Sequence, residues 1–347
     1  MYTGRLPLAL EVLGSFLLGR SVGEWEDELE KLHKIPHKEI HEILHLSFKS
    51  LDHYTKKIFL DIACFFLDMD KEYVIRILRG CDFFPDIGFS VLIQRSLLTI
   101  DLHNKLRMHD LIRDMGREIV RKKSPNNLGR RSRLWFHEDV LKILSKHLGS
   151  EAVEGLTLTF PIPKGVHLKT KAFAKLKNLR LLEINDAPLT GSYKHLSKEL
   201  KWLCWHKCPL EFLPPNLHLD NLVVLDMQHS NLKQLWKENR ILNNLKILNL
   251  SYSKNLTKSP CFLHFPHLEI LTLEGCTSLV ELHESIEHLK RLVELNLQEC
   301  KNLRNIPRTI SALKSLESIN LCGCLKLDRK AWNMTAFNGL SQCEPSL

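Results

Sequence analysis

The spacing of apolar positions divides this chain in two. From Leu179 to Cys324 a phrase of the form Leu-x-x-Leu-x-Leu-x-x-(Cys/Ser) recurs seven times, with Ile184, Trp205, Met227 or Ile319 for a later leucine in four units and Ala187 closing the first, its first leucine at Leu179, Leu200, Leu222, Leu245, Leu268, Leu292 and Leu316. The steps are 21, 22, 23, 23, 24 and 24 residues, the period and phrase of a leucine-rich repeat. Positions one, four and six of each unit point inward, as with Leu268, Leu271 and Leu273. One unit cannot bury them, but stacked neighbours can. Positions three, five, seven and eight are expected on the open face. Position three reads Leu181, Trp202, Val224, Ile247, Ile270, Glu294, Ser318. Five apolar residues in register predict an exposed stripe, the kind of surface that marks a contact site. The candidate partner-binding residues are therefore Trp202, His206, Val224, His229, Ile247, Tyr252 and Ile270. Trp202, His206, His229 and Tyr252 are the expected anchors, because aromatic side chains carry disproportionate interface energy. A second reading packs the same stripe on the protein's own helical half.

Before the repeats the period is helical. Leu10, Leu13 and Phe16-Leu17 form one stripe; Trp25, Leu29 and Leu32 form another; Ile40, Ile43-Leu44 and Phe48 form a third. Asp52 is a predicted N-cap for a helix running to about Leu67, apolar nearly all round at its end. Short helices follow over Tyr73–Arg79 and Phe89–Arg95. The period then changes. Ser96–Ile100 and Lys105–Met108 read as a hairpin with Asn104 in the turn, followed by a helix over Asp110–Lys123. Helices plus a small hairpin is the order of a winged-helix domain. A further helix is predicted over Asp139–Leu148, and Val153–Leu158 reads as an N-terminal capping strand. The fold class is thus α/β multidomain: a helical remnant and a winged helix, then a repeat solenoid.

Composition adds limits. With 347 residues and 44% apolar content, each part can bury a core. The net charge of +9 is spread over both halves and supports only weak attraction to anions. Cys208, Cys276, Cys300 and Cys324 fall at the ninth place of their repeats and read as reduced, buried residues. Cys322-Gly323-Cys324 and Cys204…Cys208 lack a second pair with finger-like spacing, so no metal site is expected. Leu6–Leu18 carries Glu11, lacks a small-x-small cleavage site and is too short to span a bilayer. The chain is expected in the cytoplasm or nucleus.

Several phrases resemble the plant intracellular immune receptors of the nucleotide-binding, leucine-rich-repeat class. Gly4-Arg5-Leu6-Pro7-Leu8-Ala9-Leu10 is similar to the family's Gly-Leu-Pro-Leu-Ala motif. Lys57–Phe66 looks like the subclass that begins with a Toll/interleukin-1-receptor-like domain, and Met108-His109-Asp110 matches the Met-His-Asp motif. Arg133-Leu134-Trp135 through Gly155 resembles that subclass's bridge into the repeats. The resemblance implies a switch held closed by ADP and opened by ATP. It implies cofactor contacts at Pro7, Leu8 and His109, His109 touching the phosphate. It divides the chain into 1–50, the helical end of a nucleotide-binding (NB-ARC) module; 51–148, the winged helix; 149–327, the repeats; and 328–347, a tail. Two departures stand out. Arg5 replaces a family glycine, and the sequence holds no Gly-x-x-x-x-Gly-Lys-(Ser/Thr) phosphate loop. The expectation is a truncated receptor in which ADP binding is weak or absent.

No nucleophile–base pair stands out, so catalysis is not expected. The implied function is plant defence signalling, with the repeats reading a pathogen or host protein or restraining the switch. Two alternatives are a regulatory decoy of full-length receptors and a nucleic-acid-binding winged helix. The last rests on the run Arg117, Arg121, Lys122, Lys123, Arg130, Arg131 and Arg133.

Overall fold

A computed structural model describes residues 21–27, 45–159, 168–237 and 240–327. The expected helical stripes over residues 6–18 and 28–44, with Pro7 and Leu8, and the tail 328–347 lie outside the described residues. The chain forms two compact units, 1–126 and 127–347.

In the first unit, helix α1 (His53–Asp61) begins at Asp52, whose carboxylate accepts from the Tyr54 and Thr55 N–H groups. It runs into a π-helical turn, Ile62–Phe66, all of it buried. Helix α2 (Lys71–Gly80) is capped by Asp70. Helix α3 (Pro85–Gln94) starts earlier than Phe89, because Pro85 supplies a ready-made first helical position. Strands β1 (Thr99–Ile100) and β2 (Leu106–Arg107) pair antiparallel. Asn104 turns between them at φ 59°, the left-handed conformation that asparagine tolerates. Helix α4 (Asp110–Lys123) follows. It lies close to the π turn: a Cβ added at Gly116 would stand 2.9 Å from that of Ala63. Arg117 Nε donates to the Ala63 carbonyl at 3.1 Å.

The second unit begins before residue 149. Strand β3 (Arg133–Leu134) pairs in parallel with β4 (Gly155–Leu158), and helix α5 (His137–Ser145) places Val140, Ile143 and Leu144 in the repeat core. Residues 127–148 therefore pack with the repeats rather than with the winged helix, because their apolar face is buried there. The remaining elements of the stack are β5 (Leu168–Lys169), β6 (Leu181–Asn185), β7 (Leu189–Thr190), β8 (Trp202–His206), β9 (Val224–Asp226), β10 (Ile247–Asn249), β11 (Ile270–Thr272), β12 (Glu294–Asn296) and β13 (Ser318–Asn320). Nine of these strands form one parallel sheet in the order β3-β4-β6-β8-β9-β10-β11-β12-β13, while β5 and β7 pair separately. The return segments carry short 3-10 turns, for example Phe262–His264 and Glu284–His288.

Positions one, four and six behave as the period demands: Leu268, Leu271 and Leu273 are fully buried in one continuous core. Two further columns hold the stack together. The eighth position is left-handed in every repeat: Asp186, Lys207, His229, Tyr252, Gly275, Glu299 and Gly323 all have φ between 54° and 75°. That twist turns each N–H toward the next repeat, as when Tyr252 N–H donates to the Glu274 carbonyl and Gly275 N–H to that of Gln298. The ninth position points back. Cys276, Cys300 and Cys324 thiols donate to the carbonyls of Leu250, Leu273 and Leu297, at 3.2, 3.1 and 3.1 Å. These cysteines are unpaired and buried, as the period predicts. Each of these carbonyls also accepts the N–H of its own repeat's ninth residue, Ser253, Cys276 or Cys300, so the thiol adds a second bond from the next repeat.

Candidate functional site

The open face of the sheet is not a uniform apolar stripe. Leu181, Trp202, Val224 and Ile247 are buried within the chain, and only Ile270 of the five keeps partial exposure. This corrects the expectation that Trp202, Val224 and Ile247 are partner-facing. Each stands directly opposite the next in the ladder, and large apolar groups in register at strand spacing remove one another's surface from water. Side chains buried in this way offer no exposed docking surface.

The exposed anchors lie further along each unit, at the eighth position. His229 and Tyr252, successive eighth positions, stack with ring centroids 4.9 Å apart and planes 10° from parallel. The left-handed backbone splays both rings outward. The Tyr252 hydroxyl donates to Glu274 Oε1, and that bond raises the phenol pKa. Glu274 Oε2 in turn accepts from Asn296 Nδ2 at 3.2 Å. Lys207, Cys208, Pro209 and Lys254 join the two rings around a hollow of about 470 Å³. Lys207 is paired with Asp186 at 3.3 Å, so the flat aromatic pair with Lys254 beside it suits a partner segment that carries a carboxylate next to an apolar or aromatic group.

A second cluster was not anticipated. His206, half-buried, directs Nε2 at two neighbours: Cys204 Sγ at 3.3 Å and Asp226 Oδ1 at 3.1 Å. Cys204 and Asp226 are buried, and burial pushes the Cys204 thiol well above its ordinary pKa. Both contacts use the same ring nitrogen, so His206 cannot pass a proton between thiol and carboxylate as a catalytic triad requires. The signal was present in sequence: Cys-x-His on one strand puts both on one face, and Asp226 follows at the same repeat position as Cys204, one period later. Glu183, the next residue up that column, has its pKa raised by burial although Thr157 and Asn185 donate to it.

In the first unit His109 is the N-cap of α4, its Nδ1 accepting from Leu111 N–H at 3.1 Å. With Nδ1 as acceptor, the neutral ring carries its proton on Nε2. Asp110 in the same first turn is paired with Arg113. The basic run behaves as separate residues rather than one patch. Arg131 and Arg133 are buried and face Asp139 and Glu154, and Arg117 donates to a carbonyl. Arg121, Lys122, Lys123 and Arg130 stay exposed. No helix among the described residues is long and apolar enough to cross a membrane.

A winged helix in one unit and a stack of leucine-rich repeats in the other define a multidomain class built around a repeat solenoid. Comparison with known proteins agrees. Residues 52–124 match the Roq1-like disease resistance protein winged-helix domain, and residues 221–240 match the leucine-rich repeat family. The chain is 39% identical over 319 residues to disease resistance protein RUN1 of Vitis rotundifolia, covering 84% of this chain and 24% of that protein. It is 34% identical to the TMV resistance protein N of Nicotiana glutinosa (82% of this chain, 25% of that one) and 37% identical to RPP2A of Arabidopsis thaliana (83% and 22%). The leucine-rich repeat domain of the type III effector XopL is 24% identical, with a TM-score of 0.34 over 56% of this chain and 61% of that one. The chain belongs to the plant disease resistance proteins of the nucleotide-binding, leucine-rich-repeat family, in the subclass that begins with a Toll/interleukin-1-receptor-like domain. It spans about a quarter of the length of the relatives it matches.

Proposed function

We propose that this chain is the sensing part of an innate immune receptor acting in the cytoplasm, and that its repeats read a protein partner through the His229–Tyr252 face. The supporting observation is the exposed stacked pair beside a hollow that Lys254 also lines, on rings that the repeat backbone holds outward. Its role is binding and restraint of a switch rather than catalysis. The decisive experiment screens pathogen-secreted and host proteins against the full chain. Ligands of this face should lose at least tenfold in affinity with Tyr252→Asp and keep it with Lys314→Glu in a return segment. Ligands that bind both variants equally would remove this face from consideration.

ADP binding is the family-level extension. His109 fits a phosphate contact only in part: the helix N-terminus favours an anion, yet Asp110 sits in the same turn and the sequence has no phosphate loop. Among the described residues His109 is the one expected phosphate contact. Calorimetry with ADP should show weak or no binding; tight binding lost with His109→Ala would overturn this.

A further inference from the structure

We propose that Cys204, His206 and Asp226 form a site for one divalent cation of the zinc class on the open face of the repeats. Three donor atoms of three kinds, Sγ, Nε2 and Oδ1, lie within 4.8 Å of one another. A tetrahedral zinc ion with sulfur at about 2.3 Å and nitrogen or oxygen near 2.1 Å holds its donors roughly 3.4–3.6 Å apart. The two contacts made by Nε2, 3.3 and 3.1 Å, lie within a few tenths of that spacing, so small side-chain movements make room for an ion. The backbone fixes the arrangement. Cys204 and His206 share one face of β8, and Cys204 stands directly opposite Asp226 on β9.

Hydrogen bonding alone accounts for the cluster poorly. An Nε2–H that donates to the Asp226 carboxylate can share only a weak contact with the Cys204 sulfur, and an Nε2 that accepts from the thiol leaves the carboxylate without the ring's proton. An ion at the centre would satisfy sulfur, nitrogen and oxygen together. The surroundings resemble an outer shell. Gln228 Nε2 and Asn249 Nδ2 donate to Asp226 Oδ2 at 3.2 and 3.3 Å, which holds Oδ1 toward the cluster. Cys204 and Asp226 are buried while His206 is about a third exposed, 32% at its side chain, which gives an ion a way in and leaves a coordination position on the solvent side. The donor set selects the metal. A thiol and an imidazole suit zinc and its neighbours, whereas magnesium and calcium take oxygen ligands. On binding, the Cys204 thiol gives its proton to solvent and the thiolate takes the ion.

The site is independent of the partner reading, since Tyr252 contributes nothing to it. The test is a cobalt(II) titration of the reduced full chain, followed by the thiolate-to-cobalt charge-transfer absorption, then displacement by zinc. One equivalent should produce the band. Cys204→Ser should abolish it, whereas Cys322→Ser, which removes a partly exposed thiol on the same face, should keep it. Asn249→Ala leaves all three donors in place but removes one of the two amides that hold Asp226 Oδ2, and should weaken cobalt binding 10–100-fold; this variant carries the test should Cys204→Ser fail to fold. Tyr252→Asp should bind cobalt as the parent does. Absence of the band in the parent, its survival in Cys204→Ser, or unchanged affinity in Asn249→Ala would overturn the proposal.

Discussion

Replacing Gly275 by alanine should weaken the repeat stack and loosen the aromatic pair together. Gly275 occupies the left-handed region at φ +65°, and a Cβ built there would stand 2.5 Å from Cδ1 of Tyr252 and 2.8 Å from its Cε1. Two effects add. Holding an L-residue in that conformation costs about 1–2 kcal/mol, offset by roughly 0.4–1 kcal/mol from the stiffer unfolded chain. The ring must then move off the glycine, giving up part of an aromatic contact worth about 0.5–1.5 kcal/mol. The expected loss is about 0.5–2.5 kcal/mol. Repeat arrays do not always unfold in one step, so the assay is hydrogen exchange at repeats four to six, alongside urea denaturation. A double-mutant cycle with Tyr252→Ala separates the effects. In the Tyr252→Ala background Gly275→Ala should cost only the backbone part, about 1 kcal/mol or less. An unchanged or more stable Gly275→Ala chain, or a cycle with zero coupling, would refute the view that glycine is needed beneath the ring.

Other outcomes follow from the same geometry. Leu271→Ala, which empties a fully buried position in the middle of the stack, should cost about 2.7–5 kcal/mol in urea denaturation. His264 is buried in a return segment with Nδ1 unpartnered, and burial lowers its pKa below 6.5. The unfolded chain therefore takes up the proton first, so repeat stability should be full above about pH 6.5 and fall as pH drops below it. His264→Phe should remove that part of the slope in a thermal melt. Asp52→Ala should cost the winged helix about 1 kcal/mol at pH 7. Hydrogen bonding by Thr55, first through its side chain, lowers the Asp52 pKa below 3.8, so this loss should fade as pH falls from 3.8 through the folded-state value. Asp52→Asn should retain most of the stability in the same denaturation series.

The repeat, its inward positions, the cysteine column, the Asp52 cap and the Asn104 turn were legible because each follows from a local rule of period or conformation. The fate of Trp202, Val224 and Ile247 was not. Alternation assigns a side chain to a face of the sheet but says nothing about what covers that face. The boundary after residue 126 was hidden for a related reason: Arg133-Leu134 is too short a strand to be recognised without its partner Gly155-Leu156. The left-handed eighth column was masked by residue type, since five of its seven members are not glycine. The Cys204–His206–Asp226 cluster was missed because metal spacing was sought along the chain, whereas a repeat brings donors together across its period.

The ninth-position thiols give the stack a property that its leucines lack. Burial raises the Cys276 pKa to about 12 and that of Cys324 to about 11. Near neutral pH such groups are almost wholly protonated and slow to react, so they become available to an alkylating reagent mainly when their own repeat opens. Each of these units thus carries a built-in clock. The order in which Cys276, Cys300 and Cys324 become labelled would record how the stack frays, one repeat at a time, without adding any probe to the protein.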